Sequence, residues 1–244
     1  MEVRVDGQLL ILDAGTGIRP FGLTLPGGLD ADILFTHSHV DHICGIPFFA
    51  PLFKTGNRFV LWAGHLLPTH HLPDVLADYM AAPLFPIKPG VFSAAVEYRD
   101  FVAGTDIEPR PGLRIRTAPL FHPNGATGYR IDSGGRSFCY VTDTEHRPGH
   151  ADQNVLDLIR GADVLVYDCT YTDEQFANYQ SWGHSTWQEG VRLCNAAGVG
   201  RLVIFHHDPG HDDAFMDNVG VIAAMARPGT VVAYEGMELS LNPA

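Results

Sequence analysis

The sequence predicts an α/β sandwich, and three observations carry that prediction. Short apolar runs alternate with stretches of helical periodicity, a pattern that an all-β chain does not show. Apolar residues make up 45% of the 244 positions, enough for a sizeable core. Four of the apolar runs end on an acid or a histidine, and α/β sheets gather their ligands at such strand ends.

Strands are expected at "LLILD" (9–13), "DILFT" (32–36), "RFVLW" (58–62), "GLRIRT" (112–117), "SFCYVTD" (137–143), "DVLVYD" (163–168), "RLVIF" (201–205) and "TVVAY" (230–234). Each is a β-branched or aromatic-rich run bounded by polar or turn residues. Helices are expected to begin near Asp41, Pro73, Ala151, Thr186 and Asp212. The proline-rich stretch from Leu66 to Gly112 reads as a mostly irregular excursion with one helix. "HSTWQEGVRLCNAAG" marks a helix most clearly. Ser185 stands as N-cap with Gln188 three residues on, Trp187, Val191 and Cys194 share a face, and Gly198 suits the stop. His184 then lies just before a helix N-terminus, where backbone N–H groups favour an anion.

Composition removes several functions. The formal net charge is −12, with only 16 Lys and Arg, which disfavours a dedicated nucleic-acid binder. There is no run long enough for a membrane span, and no basic region followed by an apolar stretch that would mark a signal peptide. Cys44, Cys139, Cys169 and Cys194 form no CxxC and sit among apolar neighbours. They read as small buried residues, a usage that fits a reducing cytoplasm.

The strand ends hold the chemistry. "ILFT" runs into His37, "FCYVT" into Asp143, "VLVY" into Asp168 and "LVIF" into His206. The first of these opens "HSHVDH". Side chains alternate along an extended segment, so His37, His39 and Asp41 can share one side, while a helix starting at Asp41 swings His42 away. The result is a pair of imidazoles and an Asp–His pair, two ligand groups suited to two adjacent metal ions. Imidazole and carboxylate without thiolate suit zinc, manganese or iron. A chance HxHxDH is expected on the order of a few times in a thousand such chains. His65, His70, His71, His146 and His150 lie in polar or proline-rich stretches and read as surface residues. In "FHHDPGHDD", His206 ends the strand directly and is favoured over His207. His207, Asp208 and His211 stay open between supporting and exposed roles.

These motifs resemble the metallo-β-lactamase superfamily and, within it, the ribonuclease Z-like branch of phosphodiesterases, over nearly the whole chain. "HSHVDH" matches the superfamily HxHxDH. "FHPNGATGYRI" resembles the segment supplying the next histidine, His122, "YVTDTEH" the segment with the bridging carboxylate, Asp143, and "LVIFHHDP" the last ligand strand. "VYDCTY" and "GHST" narrow the likeness to the ribonuclease Z-like branch. The resemblance implies one hydrolase domain over residues 1–244, folded as a four-layer αββα metallo-β-lactamase sandwich with mixed sheets. It implies that His37, His39 and His122 bind one metal, that Asp41, His42 and His206 bind a second, and that Asp143 bridges both. Three departures stand out. The chain starts almost at "LLILDAGTG", so the expectation is either a truncated start or a sheet without its first edge strand. The excursion at 66–112 lacks the long basic arm with which many ribonuclease Z enzymes grip tRNA. Asp168 stands where ribonuclease Z usually has glutamate.

The expected function is hydrolysis of a small phosphodiester, a cyclic nucleotide among the candidates, by a hydroxide held between two divalent metals. His184 is expected to donate a proton to the leaving oxygen or to stabilise the phosphorane-like charge, with Asp168 fixing its tautomer, while Asp41 and Asp143 hold the metals and orient the nucleophile. The alternatives are tRNA 3′-end processing, hydrolysis of a lactone, thioester or β-lactam, and a metal-stabilised binding module without catalysis. A flavodiiron-type role is disfavoured by His39, where those proteins place glutamate. Tyr129, Arg130 and Tyr171 are the polar candidates for substrate contact. The partners expected are a small-molecule phosphodiester, nucleic acid with less support, no membrane, and a second copy of the chain in a homodimer.

Overall fold

The apolar runs become strands because their backbone polar groups find partners only by pairing. The computed structural model describes residues 1–241, and the chain divides into two units, Met1–Ala103 and Gly104–Ala244. In the first unit the elements are β1 (Glu2–Val5), β2 (Gln8–Leu12), α1 (Ile18–Thr24), β3 (Asp30–Phe35), α2 (Val40–Ile43), β4 (Arg58–Ala63), α3 (Leu72–Tyr79) and β5 (Ala95–Asp100). They build a five-stranded sheet in the order β1-β2-β3-β4-β5. β1 and β2 are antiparallel and the remaining pairs parallel. Ile11, Ile33, Phe35 and Leu61 from the sheet pack with Ile18, Ile46, Phe49 and Leu76. Each such buried side chain contributes roughly 1.5–3 kcal/mol.

The second unit contains β6 (Ile107–Arg110), β7 (Leu113–Leu120), β8 (Ala126–Ser133), β9 (Arg136–Val141), α4 (Gln153–Ile159), β10 (Val164–Asp168), α5 (Asp173–Phe176), α6 (Trp187–Ala197), β11 (Arg201–Phe205), α7 (Asp213–Ala226) and β12 (Val231–Val232). Its seven-stranded sheet runs β12-β11-β10-β9-β8-β7-β6. Strands β9 to β12 are parallel, and β6 to β9 are joined by antiparallel pairs. Two antiparallel steps return β7 to the direction of β9, so β7, β9, β10 and β11 all end at one edge. The register pairs Tyr167 with Val141 and Asp168 with Phe205, which brings the residues after these strands level with one another. Leu158, Leu165, Cys194, Leu202 and Ala223 fill the core between sheet and helices.

Several elements escape the sequence reading. β1 pairs antiparallel with β2 at the edge of the first sheet, and its residues alternate between exposed and half-buried. β5 and β6 form inside the stretch read as irregular; β5 is polar because it too is an edge strand, with Glu97 and Arg99 in its middle. β8 follows His122 and is buried over most of its length. Its Gly128 sits where a Cβ would come within 3.0 Å of Leu158 and 3.1 Å of Leu120. The short helices α1 and α5 were not expected, and the strand expected at 230–234 shrinks to two residues. The N-cap of α6 is Thr186, whose hydroxyl accepts from the Glu189 N–H, rather than Ser185. Gly198 closes that helix in the left-handed conformation as expected, at φ 67°.

Two glycines lock the "DAGTG" loop against α2. The Ala14 N–H donates to His42 O at 2.7 Å and the Gly45 N–H to Ala14 O at 2.8 Å. A Cβ on Gly15 would lie 2.4 Å from Asp41 O, and one on Gly45 would lie 2.2 Å from Gly15 O and 2.4 Å from Ile18 Cγ2. Gly45→Ala is therefore expected to cost about 3 kcal/mol through overpacking against backbone. Urea unfolding of the variant should show a midpoint shifted down accordingly, and an unchanged midpoint would refute the close approach.

Candidate active site

In the first unit the chain leaves β3 at Phe35 and meets the loop after β2 through one carboxylate. Asp13 Oδ1 accepts the Thr36 N–H at 2.7 Å, and the Thr36 hydroxyl donates to the same carboxylate. That hydroxyl lies 3.1 Å from His37 Nδ1, and Asp13 Oδ2 lies 2.9 Å from His42 Nδ1. A carboxylate can only accept, so the Thr36 proton points to Asp13 and the Nδ1 protons of His37 and His42 point to Thr36 and Asp13. Both rings then present Nε2 with its lone pair. His37 Nε2 is 2.9 Å from His39 Nδ1, and His42 Nε2 is 3.2 Å from Asp41 Oδ2. The first unit thus brings together His37, His39, Asp41 and His42, with Asp41 the most exposed of them.

In the second unit the common strand edge delivers His122, Asp143, Asp168 and His206, and the segment before α6 adds His184. Asp143 is buried, its Oδ2 accepts from the Thr142 hydroxyl at 2.7 Å, and its Oδ1 faces three imidazoles. His206 Nε2 is 3.4 Å away, His184 Nδ1 3.8 Å and His122 Nε2 4.0 Å. His122 Nδ1 donates to Gly183 O at 2.8 Å, which fixes its tautomer because a carbonyl cannot donate. His206 Nδ1 rests 3.0 Å from the Thr170 hydroxyl. Asp143, Asp168, His184 and His206 each place one ligand-type atom within 4.8 Å of the others. Imidazole nitrogens and carboxylate oxygens at this density, without a thiolate, are the donor set of a divalent cation such as zinc.

Asp168 is fully buried and pairs with His184, Oδ2 to Nδ1, at 3.0 Å. The aspartate, which the resemblance put in place of a glutamate, is long enough to reach the imidazole. Burial alone would raise the Asp168 carboxyl, but the hydrogen bond and charge of His184 hold it below the usual value. Burial likewise pulls the His184 imidazole down, and Asp168 outweighs it, leaving the imidazole above its ordinary 6.5. The Asp168 oxygens also accept from the backbone N–H groups of Thr144, Thr170 and Ser185.

Some candidates lie elsewhere. Tyr129 is fully buried in the sheet. Arg130 is buried too, and its guanidinium donates to Leu158 O and Arg160 O at the end of α4 and pairs with Asp132. It serves the helix terminus rather than a substrate. Tyr171 stays near the site, 6.2 Å ring to ring from His184. His146 is buried rather than exposed, bonded to the Ser185 hydroxyl at 2.8 Å and stacked on Phe176. His65 is half-buried against the Ser38 hydroxyl, whereas His70, His71 and His150 are at the surface. His207 turns back to Ile204 O, Asp208 binds the Gly210 N–H, and His211 packs on Phe215. Asp13 and Thr36 in the first unit, and Thr170 and Glu145 in the second, support the candidate groups of their own unit and were not read from the sequence. Only Asp13, another acid at a strand end, carried a signal of the kind used for the rest.

A profile of the beta-lactamase superfamily domain matches residues 10–207. The ribonuclease Z of Bradyrhizobium sp. (strain ORS 278) is 30% identical, over 84% of this chain and 81% of that protein. The ribonuclease Z of Haloferax volcanii is 27% identical, over 84% and 77%. Among solved structures, a diphosphatase of the PhnP family superposes with a TM-score of 0.72 at 22% identity, covering 99% of this chain and 83% of that one. The short form of human tRNase Z gives 0.71 at 19% identity, covering 99% and 92%. These structural likenesses establish the metallo-β-lactamase fold.

Asp13→Asn keeps the size of the side chain and tolerates the positive φ of 59° found there. It also turns an amide donor toward groups that need an acceptor. Metal affinity, measured by competition with a chromophoric chelator, is expected to fall roughly 10–100-fold with the far-UV circular dichroism unchanged. Wild-type affinity in the variant would remove Asp13 from the site.

Proposed function

The chain belongs to the β-lactamase superfamily, in its ribonuclease Z-like branch, and from that membership we propose that it is a dinuclear-metal phosphodiesterase acting on a small substrate, with cyclic nucleotides the first class to test. The observation that carries this reading is the Asp168–His184 pair standing beside Asp143 and His206. Bound divalent cations supply Lewis acidity toward a phosphoryl oxygen and lower the pKa of water. The ligand assignment adopted is the one the resemblance implies: His37, His39 and His122 for one ion, Asp41, His42 and His206 for the other, and Asp143 shared. Zinc leads, with manganese and iron as the other candidates. The superfamily profile takes in residues from both units, which supports reading 1–244 as one hydrolase domain.

An alkoxide leaving phosphorus is strongly basic and needs a proton as the bond breaks. With Nδ1–H of His184 committed to Asp168, Nε2 is the atom that gives that proton. Burial lowers the imidazole and the hydrogen bond and charge of Asp168 raise it, with the net direction upward. Asp168 itself is a positioning group, held by three backbone N–H donors.

Processing of tRNA 3′ ends is the second reading, favoured by the ribonuclease Z relatives and by the tRNase Z structure. Against it stand the net charge of −12 and a 66–112 stretch whose only Lys and Arg are Lys88, Arg99 and Arg110. Bis-p-nitrophenyl phosphate, cyclic nucleotides and a pre-tRNA, assayed side by side with zinc and with manganese, separate the two. Turnover of pre-tRNA alone would replace the first reading by the second.

Dialysis against a chelator is expected to abolish hydrolysis, and returning the metal to restore it; full activity in the stripped protein would sink the metal-dependent reading. In His184→Ala, metal content should hold while turnover falls by roughly 10²-fold or more. Asp168→Asn removes the charge that raises His184, so the alkaline limb of the rate profile should move to lower pH. An unmoved limb would mean that another group supplies the proton.

A further inference from the structure

A single exposed aromatic needs no explanation, but an exposed aromatic on a backbone pinned from inside does. Trp182 is 62% exposed. The residues on either side of it, Ser181 and Gly183, both have positive φ, 72° and 89°, so the chain reverses around the tryptophan. Their backbone N–H groups donate to the two oxygens of one carboxylate, Glu145, at 2.9 and 2.8 Å, and Glu145 is itself buried. Gly183 is held on its other side as well. Its carbonyl accepts from His122, and a Cβ there would lie 2.3 Å from His122 Nδ1 and 2.4 Å from Pro123 Cδ. The tip is therefore fixed, and the indole is the group it presents.

Ring contacts connect that indole to the proton donor. Trp182 meets Tyr179 edge-on at 5.4 Å, Tyr179 stacks on Tyr171 at 4.4 Å and 8°, and Tyr171 meets His184 at 6.2 Å. Along the chain, Trp182 is two residues from His184, at most about 7 Å between Cα atoms. A flat group attached to a phosphate held at His184 has a ring within reach on which to lie. Every nucleobase has such a face, and a pre-ordered ring loses little freedom on stacking.

We propose that Trp182 is the stacking surface for the base of a nucleotide substrate. This names the substrate class of the phosphodiesterase reading and rests on it. The test uses the metal-loaded protein, with adenosine 5′-monophosphate and ribose 5-phosphate as probes in titration calorimetry. Wild type is expected to bind the nucleotide at least tenfold more tightly than the sugar phosphate. Trp182→Ala should weaken the nucleotide about tenfold and leave the sugar phosphate unchanged, whereas Trp182→Phe should stay near wild type. Equal affinity for the two probes in wild type, no binding of either, or an equal loss of both in Trp182→Ala overturns the proposal. If no phosphodiester is hydrolysed but the nucleotide preference depends on Trp182, the catalytic reading fails and the stacking surface stands.

Discussion

An imidazole offers a lone pair in a fixed direction only when the proton on its other nitrogen is committed, and the arrangement at these strand ends depends on that commitment. His42 gives its Nδ1 proton to a carboxylate, His37 to a hydroxyl that the same carboxylate orients, His122 to a backbone carbonyl and His206 to a second hydroxyl. Three kinds of anchor serve the four rings, and each commits Nδ1 and leaves Nε2 to face outward. The sheets make this possible. Parallel register sets the heights at which the strands end, and the last buried residue of each strand is a rigid base for the polar residue that follows.

The backbone is bent hard at these ends. Asp13, Asp143 and His206 sit at φ 59°, 58° and 59°, a region that costs a side-chain-bearing residue of order 1–2 kcal/mol. Asp and His are among the residues that tolerate it best. The left-handed turn reverses the chain just beyond the sheet, which lets Asp143 Oδ1 face three ring nitrogens while Oδ2 is satisfied by the neighbouring Thr142. Strain of this kind persists because the hydrogen bonds around it leave no alternative.

What was legible in the sequence was whatever interrupts a pattern. His37, Asp143, Asp168 and His206 each break an apolar run, and HxHxDH is too dense to pass as loop composition. What was not legible depends on partners distant along the chain. Arg130 looked like a substrate contact, but it meets carbonyls 28 and 30 residues away. His146 lies in a polar stretch and is buried because Ser185, 39 residues on, and Phe176 close over it. Ser185 could not be the N-cap of α6 for the same reason: its hydroxyl is occupied by His146 and by Tyr167. The edge strands β1 and β5 were missed because an edge strand is half wet, and its polar residues erase the apolar run by which an inner strand is recognised.

One buried carboxylate ties the second unit's site into a single piece. Asp168 accepts from Thr144, the residue after Asp143; from Thr170, whose hydroxyl also meets His206; and from both the ring of His184 and the N–H of Ser185. Its burial would raise its pKa, and the hydrogen bond and charge of His184 bring it below the usual value; Asp168 in turn moves the imidazole upward against its own burial. The residue that orients the proposed proton donor is thus also the one that fixes the segments carrying Asp143 and His206. A change that displaced Asp168 would disturb ligand geometry and proton supply together, which is why charge-only replacement, keeping shape, is the substitution able to tell the two apart.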